Sequence, residues 1–149
     1  MASQHPTHMG QLVETIVWNR GSTHNVDTVR LYPTKEYVFH CCKLGHRRRF
    51  NPLCATWTKI WCIIFRETAK NPHPARFPEE LPYRCIARCA VPEGGIVLDP
   101  YMGSGTTAVA APLHGLHYVG CDISTEYIGV ANNRIRLAQI ERQMEQQCR

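Results

Sequence analysis

A chain of 149 residues in which 44% are hydrophobic is long enough for one ordinary domain and too apolar to stay an unfolded polymer. No run approaches the roughly 18 apolar residues of a membrane span, and Met1-Ala-Ser-Gln-His-Pro6 lacks the charged-then-apolar layout of a signal peptide, so a cytoplasmic protein without membrane contact is expected. The net charge is +5, from 17 Lys and Arg against 12 acids, which suits a nucleic-acid partner and equally an ordinary basic surface.

Residues 1–12 read as a disordered leader. Residues 13–18 (Val-Glu-Thr-Ile-Val-Trp) are rich in β-branched and aromatic side chains and read as a strand. A polar loop with Gly21 and Pro33 follows, then a second strand over Lys35–Cys42, and the two can pair as a long hairpin. Residues 43–75 are the least regular. They open with a basic run, Lys43-Leu-Gly-His-Arg-Arg-Arg49, which contains no acid, and continue into an aromatic patch of Trp57, Trp61 and Phe65. Such a stretch is either a solvated loop beside a core or a surface that meets phosphates and bases.

The prolines of Asn71-Pro-His-Pro-Ala-Arg-Phe77 keep that segment extended. Pro78 can occupy the first turn of a helix, with Glu79 and Glu80 favourable at the positive end of its dipole. Leu81, Cys85, Ile86 and Cys89 form the apolar face of that helix, and Pro92-Glu-Gly-Gly95 ends it. The eight cysteines include no Cys-x-x-Cys pair and no paired histidine spacing, so they read as free thiols, mostly buried, rather than as metal ligands.

A short apolar run, Ile96-Val-Leu98, then reaches Asp99-Pro100 and a glycine-rich turn, Gly103-Ser-Gly105. A helix begins at Thr106, with Pro112 expected to stop or kink it before Leu113. His117–Asp122 reads as a second short strand ending in an acid. Ser124 or Thr125 caps a long helix reaching to about Gln147, whose apolar stripe is Tyr127, Ile128, Ala131, Ile135 and Ala138.

A strand, a glycine loop and a helix present backbone N–H groups and a carboxylate to a polar ligand. A nucleoside triphosphate in a P-loop is excluded, because no Lys follows the glycines. A dinucleotide fits Gly103-Ser-Gly105-Thr-Thr-Ala108 with Asp122 as the ribose-binding acid. S-adenosylmethionine fits as well. Asp99 suits its cationic methionine end, Asp122 its ribose diol, and the glycines permit close approach of the backbone.

The wider set of motifs separates these two ligands. Asp99-Pro-Tyr-Met-Gly-Ser-Gly-Thr-Thr107 resembles the Asp-Pro-Phe-x-Gly-Ser-Gly-Thr loop of DNA amino-methyltransferases, which methylate the exocyclic nitrogen of adenine or cytosine. His73-Pro-Ala-Arg-Phe-Pro-Glu-Glu-Leu81 is similar to their upstream cofactor-contacting segment. Tyr118-Val-Gly-Cys-Asp122, with Glu126-Tyr127 and Arg134-Ile135, is similar to their second cofactor motif and the helix after it. Thr15–Asn19, Lys35–Phe39 and Trp57–Trp61 match in order too. The order is that of the permuted, β-type class.

The resemblance implies an α/β fold: a partial Rossmann-like sheet of the S-adenosylmethionine-dependent methyltransferases, with helices on both faces. It implies a hairpin and target-recognition region over 13–75 and a cofactor-binding α/β portion over 76–149. Phe77 and Pro78 would pack on the cofactor, Asp99 would face its methionine end, and Tyr101 would stand near the methyl group. Gly103, Ser104, Gly105 and Thr106 would form the loop, Asp122 would hold the ribose, and Arg47, Arg48 and Arg49 would meet double-stranded DNA. The family's catalytic Asp/Asn/Ser-Pro-Pro-aromatic motif is absent, since no two of the ten prolines are adjacent. Its strands would lie before residue 13, in the centre of the sheet. No catalytic residue is therefore assigned, no metal is implied, and the expected partners are a second polypeptide carrying that motif or further copies of this chain.

Overall fold

The structure is a computed structural model that describes residues 10–21, 34–45, 50–63 and 77–148. The chain divides into two compact units, residues 1–64 and 65–149.

The first unit is a three-stranded sheet in the order β2-β1-β3. Strands β1 (Gln11–Asn19) and β2 (Lys35–Cys42) pair antiparallel, with Trp18 opposite Glu36 and Ile16 opposite Val38. This is the expected hairpin, with β1 starting at Gln11 and a bulge between Leu12 and Glu14. Strand β3 (Ile60–Cys62) lies parallel to β1, and Trp61 stands opposite Trp18. Alternation along β1 sends Ile16 and Trp18 to one face, and both are buried, as are Trp61, Cys54 and Ile63. The indole N–H groups inside this core are satisfied by backbone. Trp18 Nε1 donates to the Ile63 carbonyl at 3.0 Å and Trp61 Nε1 to the Thr58 carbonyl at 3.0 Å. Trp57 meets Trp61 edge-on, with ring centroids 6.2 Å apart. Trp61 is thus a core residue, while Phe65 lies outside the described residues. The strand β3 was not expected from the sequence.

The second unit begins with α1 (Glu80–Arg88), preceded by Glu79 in helical geometry. Ala90, at φ +47°, turns the chain out of the helix. Strands β4 (Ile96–Asp99) and β5 (His117–Gly120) pair parallel, Ile96 opposite His117 and Asp99 opposite Gly120. Between them α2 spans only Thr106–Ala110. Pro112 has no N–H to continue an α-helix, and the chain tightens into a 3-10 turn over Ala111–His114 before Gly115 reverses it at φ +69°. The Pro112 carbonyl accepts from Arg142 Nη1. Helix α3 (Thr125–Gln147) starts as expected at Ser124, whose hydroxyl accepts from the Tyr127 N–H.

Val97 and Tyr118 face the helices. They pack on Ile86, Ala110, Ala111 and Leu116, and Tyr118 also touches the group Met102, Ala108, Ala131 and Ile135. Among the described residues the helices therefore cover one face of β4–β5. The other face carries Ile96, Leu98 and Val119, which are exposed.

Trp61 is 1% exposed. Trp61→Ala is expected to lower the unfolding free energy by about 3–5 kcal/mol, read by urea denaturation followed by circular dichroism. Leu137→Ala, at an exposed position of α3, should stay within about 0.5 kcal/mol of the parent.

Candidate functional site

The carboxyl ends of β4 and β5 meet the glycine loop. Ligands of open parallel sheets bind at this end of the strands. Asp99 ends β4, and its Oδ1 accepts from the Tyr101 N–H at 3.0 Å. That bond turns the chain out of the strand across Pro100. The ladder continues past the strands themselves. Cys121 donates from N–H to the Asp99 carbonyl at 3.0 Å, and Met102 to the Cys121 carbonyl at 2.9 Å. The first turn of the loop is thereby fixed to the exit of β5.

Asp122 fixes it a second time. Its Oδ2 accepts from the Gly103 N–H and its Oδ1 from the Ser124 N–H, both at 2.8 Å. Asp122 thus joins the loop to the start of α3 as well as lining the strand end, a bond the sequence did not foreshadow.

Two glycines are demanded by space. Gly105 sits at φ +80°, and a Cβ there would stand 2.8 Å from the Cβ of Ala131 on α3. A Cβ at Gly120 would stand 2.2 Å from Met102 Sδ and 3.2 Å from its Cβ, a side chain held in the buried group with Ala108, Ala131 and Ile135. These close approaches let backbone rather than side chains line the loop.

Arg134 on α3 holds the loop from behind. Its Nη1 donates to the Ser104 carbonyl at 2.7 Å, to Ser104 Oγ at 3.0 Å and to Thr106 Oγ1 at 3.3 Å. Its Nη2 donates to Glu79 Oε1 at 2.7 Å. Ser104 and Thr106 are buried, and these bonds supply their hydroxyls with a donor. The sequence placed Arg134 within a family-like motif and assigned it no role.

The structure brings Asp99, Tyr101, Gly103, Ser104, Gly105, Thr106 and Asp122 together at the strand ends. Tyr101 is 88% exposed and points its ring to solvent. Phe77 and Pro78 are half-buried at the entrance to α1, next to the Glu79 that Arg134 contacts. Arg47, Arg48 and Arg49 lie outside the described residues. A separate cavity of about 380 Å³ lies between the segments around α2 and α3, lined by Ala108, Pro112, Ile135 and Arg142 among others. It includes none of the expected site residues.

All eight cysteines are free, but Cys54 alone is buried and Cys41, Cys62, Cys121 and Cys148 are exposed, against the expectation of mostly buried thiols; among the described residues no group of three or more metal-ligating side chains forms. The Cys85 thiol is pushed up to about 11, first by burial and then by the neighbouring Cys89. Cys89 is raised by burial too, against a lowering by Arg88. Burial thus makes both weaker nucleophiles than an exposed thiol. No helix among the described residues is long and apolar enough to cross a membrane.

A family model described as DNA methylase matches residues 3–133. The chain is 50% identical over 64 residues to the orphan methyltransferase M.BamHII of Bacillus amyloliquefaciens, covering 43% of this chain and 24% of that protein. It is 32% identical over 136 residues to the type II methyltransferase M1.MboII of Moraxella bovis, covering 80% and 52%. Among solved structures, the M1.HpyAVI–SAM complex matches with a TM-score of 0.68 at 25% identity, over 83% of this chain and 61% of that one. The chain therefore spans between a quarter and three-fifths of the length of these relatives.

Two measurements test this geometry. Arg134→Ala should lower stability by about 2 kcal/mol, because the buried Ser104 and Thr106 oxygens lose their donor. The half-exposed Glu79 end should add less than about 1 kcal/mol. Arg134→Lys should not restore the loss, since an ammonium cannot span both ends. In the second, iodoacetamide at pH 8 should alkylate the exposed Cys41, Cys62, Cys121 and Cys148 well before Cys54 and Cys85, read by mass spectrometry.

Proposed function

Because this chain belongs to the DNA methylase family, we propose that it is the cofactor-binding and target-recognition part of a site-specific DNA methyltransferase. The reaction would move a methyl group from S-adenosylmethionine to the exocyclic amino group of adenine or cytosine. The observation that carries this reading is the pair of carboxylates, Asp99 and Asp122, at the ends of two adjacent parallel strands with a backbone-lined glycine loop between them.

The residues fit that cofactor. The loop lacks the Lys of a triphosphate-binding P-loop, and the two acids match a ligand that is cationic at one end and carries a ribose diol at the other. S-adenosylmethionine, when bound, supplies the methyl group. Asp99 would orient the methionine amino group, and the carboxylate oxygens of Asp122 would accept the ribose hydroxyls. Gly103, Ser104, Gly105 and Thr106 would provide the wall, while Phe77, Pro78 and Tyr101 would exclude water from the reacting end. Arg47, Arg48 and Arg49 would meet the phosphates or base edges of double-stranded DNA, work that belongs in the cytoplasm.

No group in this chain is assigned to hold the acceptor nitrogen in line with the methyl group. The chain alone should therefore bind the donor and transfer nothing. Isothermal titration with S-adenosylmethionine should give one site, weakened at least about tenfold, or 1.4 kcal/mol, by Asp122→Asn or Asp99→Asn. Replacing Arg47, Arg48 and Arg49 by Ala should flatten the salt dependence of DNA binding by about 0.9 for each phosphate that is no longer neutralised. Binding of a nicotinamide dinucleotide in place of S-adenosylmethionine would overturn the cofactor assignment. Silence toward donor and DNA alike would mark the chain as a degenerate copy, and labelled methyl transfer by the chain alone would overturn the missing-acceptor argument.

A further inference from the structure

Helix α1 opens on two adjacent glutamates that do different things. Glu80 stays on its own helix, where its Oε1 accepts from Arg84 Nε at 2.7 Å, one turn on. Glu79 has helical backbone angles and makes no capping bond with its side chain. Its carboxylate leaves the helix and accepts from Arg134 Nη2 at 2.7 Å, 55 residues along the chain. The two side chains are alike in exposure, 53% for Glu79 and 48% for Glu80. Both stand at the start of the helix, where its dipole favours either acid. The dipole therefore does not account for the reach of Glu79.

The other end of Arg134 holds the middle of the glycine loop. Between residues 101 and 105, four N–H groups are already donated within the unit. Tyr101 donates to Asp99 Oδ1, Met102 to the Cys121 carbonyl, Gly103 to Asp122 Oδ2 and Gly105 to the Met102 carbonyl. Among the described residues the Ser104 N–H has no acceptor, so it is the amide of this stretch left for a ligand. Arg134 grips that same residue, by its carbonyl at 2.7 Å and its Oγ at 3.0 Å. The peptide joining Ser104 to Gly105 is thereby held at both ends, its carbonyl by Arg134 and its N–H by Met102. A peptide is planar, so the two bonds fix its rotation and with it one side of Ser104.

The Glu79 end of the pair is anchored as well. The Pro78 carbonyl accepts from the Leu81 N–H at 3.0 Å, and the Glu79 carbonyl from the Tyr83 N–H at 3.1 Å. Phe77 and Pro78 are thus tied to α1 by backbone, and through the Glu79 carboxylate to the loop.

We propose that Glu79 and Arg134 are positioning residues for the S-adenosylmethionine site: their ion pair holds the pose of Ser104 and ties Phe77 and Pro78 to the glycine loop. The ligand named here rests on the cofactor reading; the hold on the loop does not. Glu79 is half-exposed, so salt screens the pair, and the loop loosens as ionic strength rises.

Glu79→Gln and Glu80→Gln, compared in the full chain, test this. Each removes one acid from the start of α1 and one ion pair, so their urea midpoints should agree. Without ligand, amide exchange at Gly105 and Val109, read by NMR, should quicken about threefold or more in Glu79→Gln and keep the parent rate in Glu80→Gln. In Glu79→Gln alone, the dissociation constant for S-adenosylmethionine should rise about threefold to fivefold. Raising sodium chloride from about 0.1 M to about 1 M should close the gap between the parent and Glu79→Gln. Arg134→Lys, which cannot span both ends, should bind at least as weakly, and adding Glu79→Gln to it should cost nothing further. The proposal is overturned if the two glutamine variants respond alike in loop exchange, or if Glu79→Gln loosens the loop and still binds S-adenosylmethionine as the parent does. A urea midpoint lowered in Glu79→Gln alone would make the pair a merely stabilising contact and overturn it too. A parent chain that binds no S-adenosylmethionine, with its loop still loosened by Glu79→Gln alone, would sink the cofactor assignment and leave the hold on the loop standing. Binding by the parent with equal affinity in both variants would do the reverse.

Discussion

One guanidinium joins three segments that the sequence keeps apart. Arg134 lies 30 residues from Ser104 and 55 from Glu79, and it bonds to both. Without a donor at that point, the Ser104 carbonyl and the Ser104 and Thr106 hydroxyls would be buried with fewer partners. The cost of such groups is larger than the gain of an average surface ion pair. The shape of the loop therefore depends on α3 being in place, and α3 in turn depends on Gly105 having no side chain to press on Ala131. The contact is reciprocal: helix and loop each require the other.

The same economy of parts appears at the strand ends. Asp122 ties Gly103 and Ser124 with its two oxygens, and Asp99 turns the chain at Tyr101. Both acids that would recognise a ligand also shape the backbone around it. A preformed wall of this kind loses little ordering entropy on binding. It also means that neutralising either acid would disturb loop geometry together with ligand charge, so an amide substitution reports on both at once.

Much of this was legible in the residues. The apolar runs located β1, β2, β4 and β5, the Ser124 cap located the start of α3, and Pro112 announced the short α2. The glycine loop with its two acids was legible because its chemistry is local. What escaped were features made by distance. Strand β3 is three residues long, too short for alternation to show, and it exists because Trp61 packs opposite Trp18 far up the chain. The reach of Arg134 leaves no mark on its own helix, where it occupies an ordinary half-buried position. Asp122 was readable as an acid at a strand end and not as a bridge to Gly103. The exposure of Ile96 and Leu98 could not be read either. An unbroken apolar run describes a strand buried on both sides, and the described residues supply cover for one.

The bare faces have a consequence for how such a chain is handled in a cell. Parallel strands with open edges and exposed aliphatic and aromatic rows are what aggregation and quality control both act on. Wherever these rows stand uncovered, chaperones, proteases and further copies of the chain would meet them first, so the handling of the chain follows from the pattern of Ile96, Leu98 and Val119.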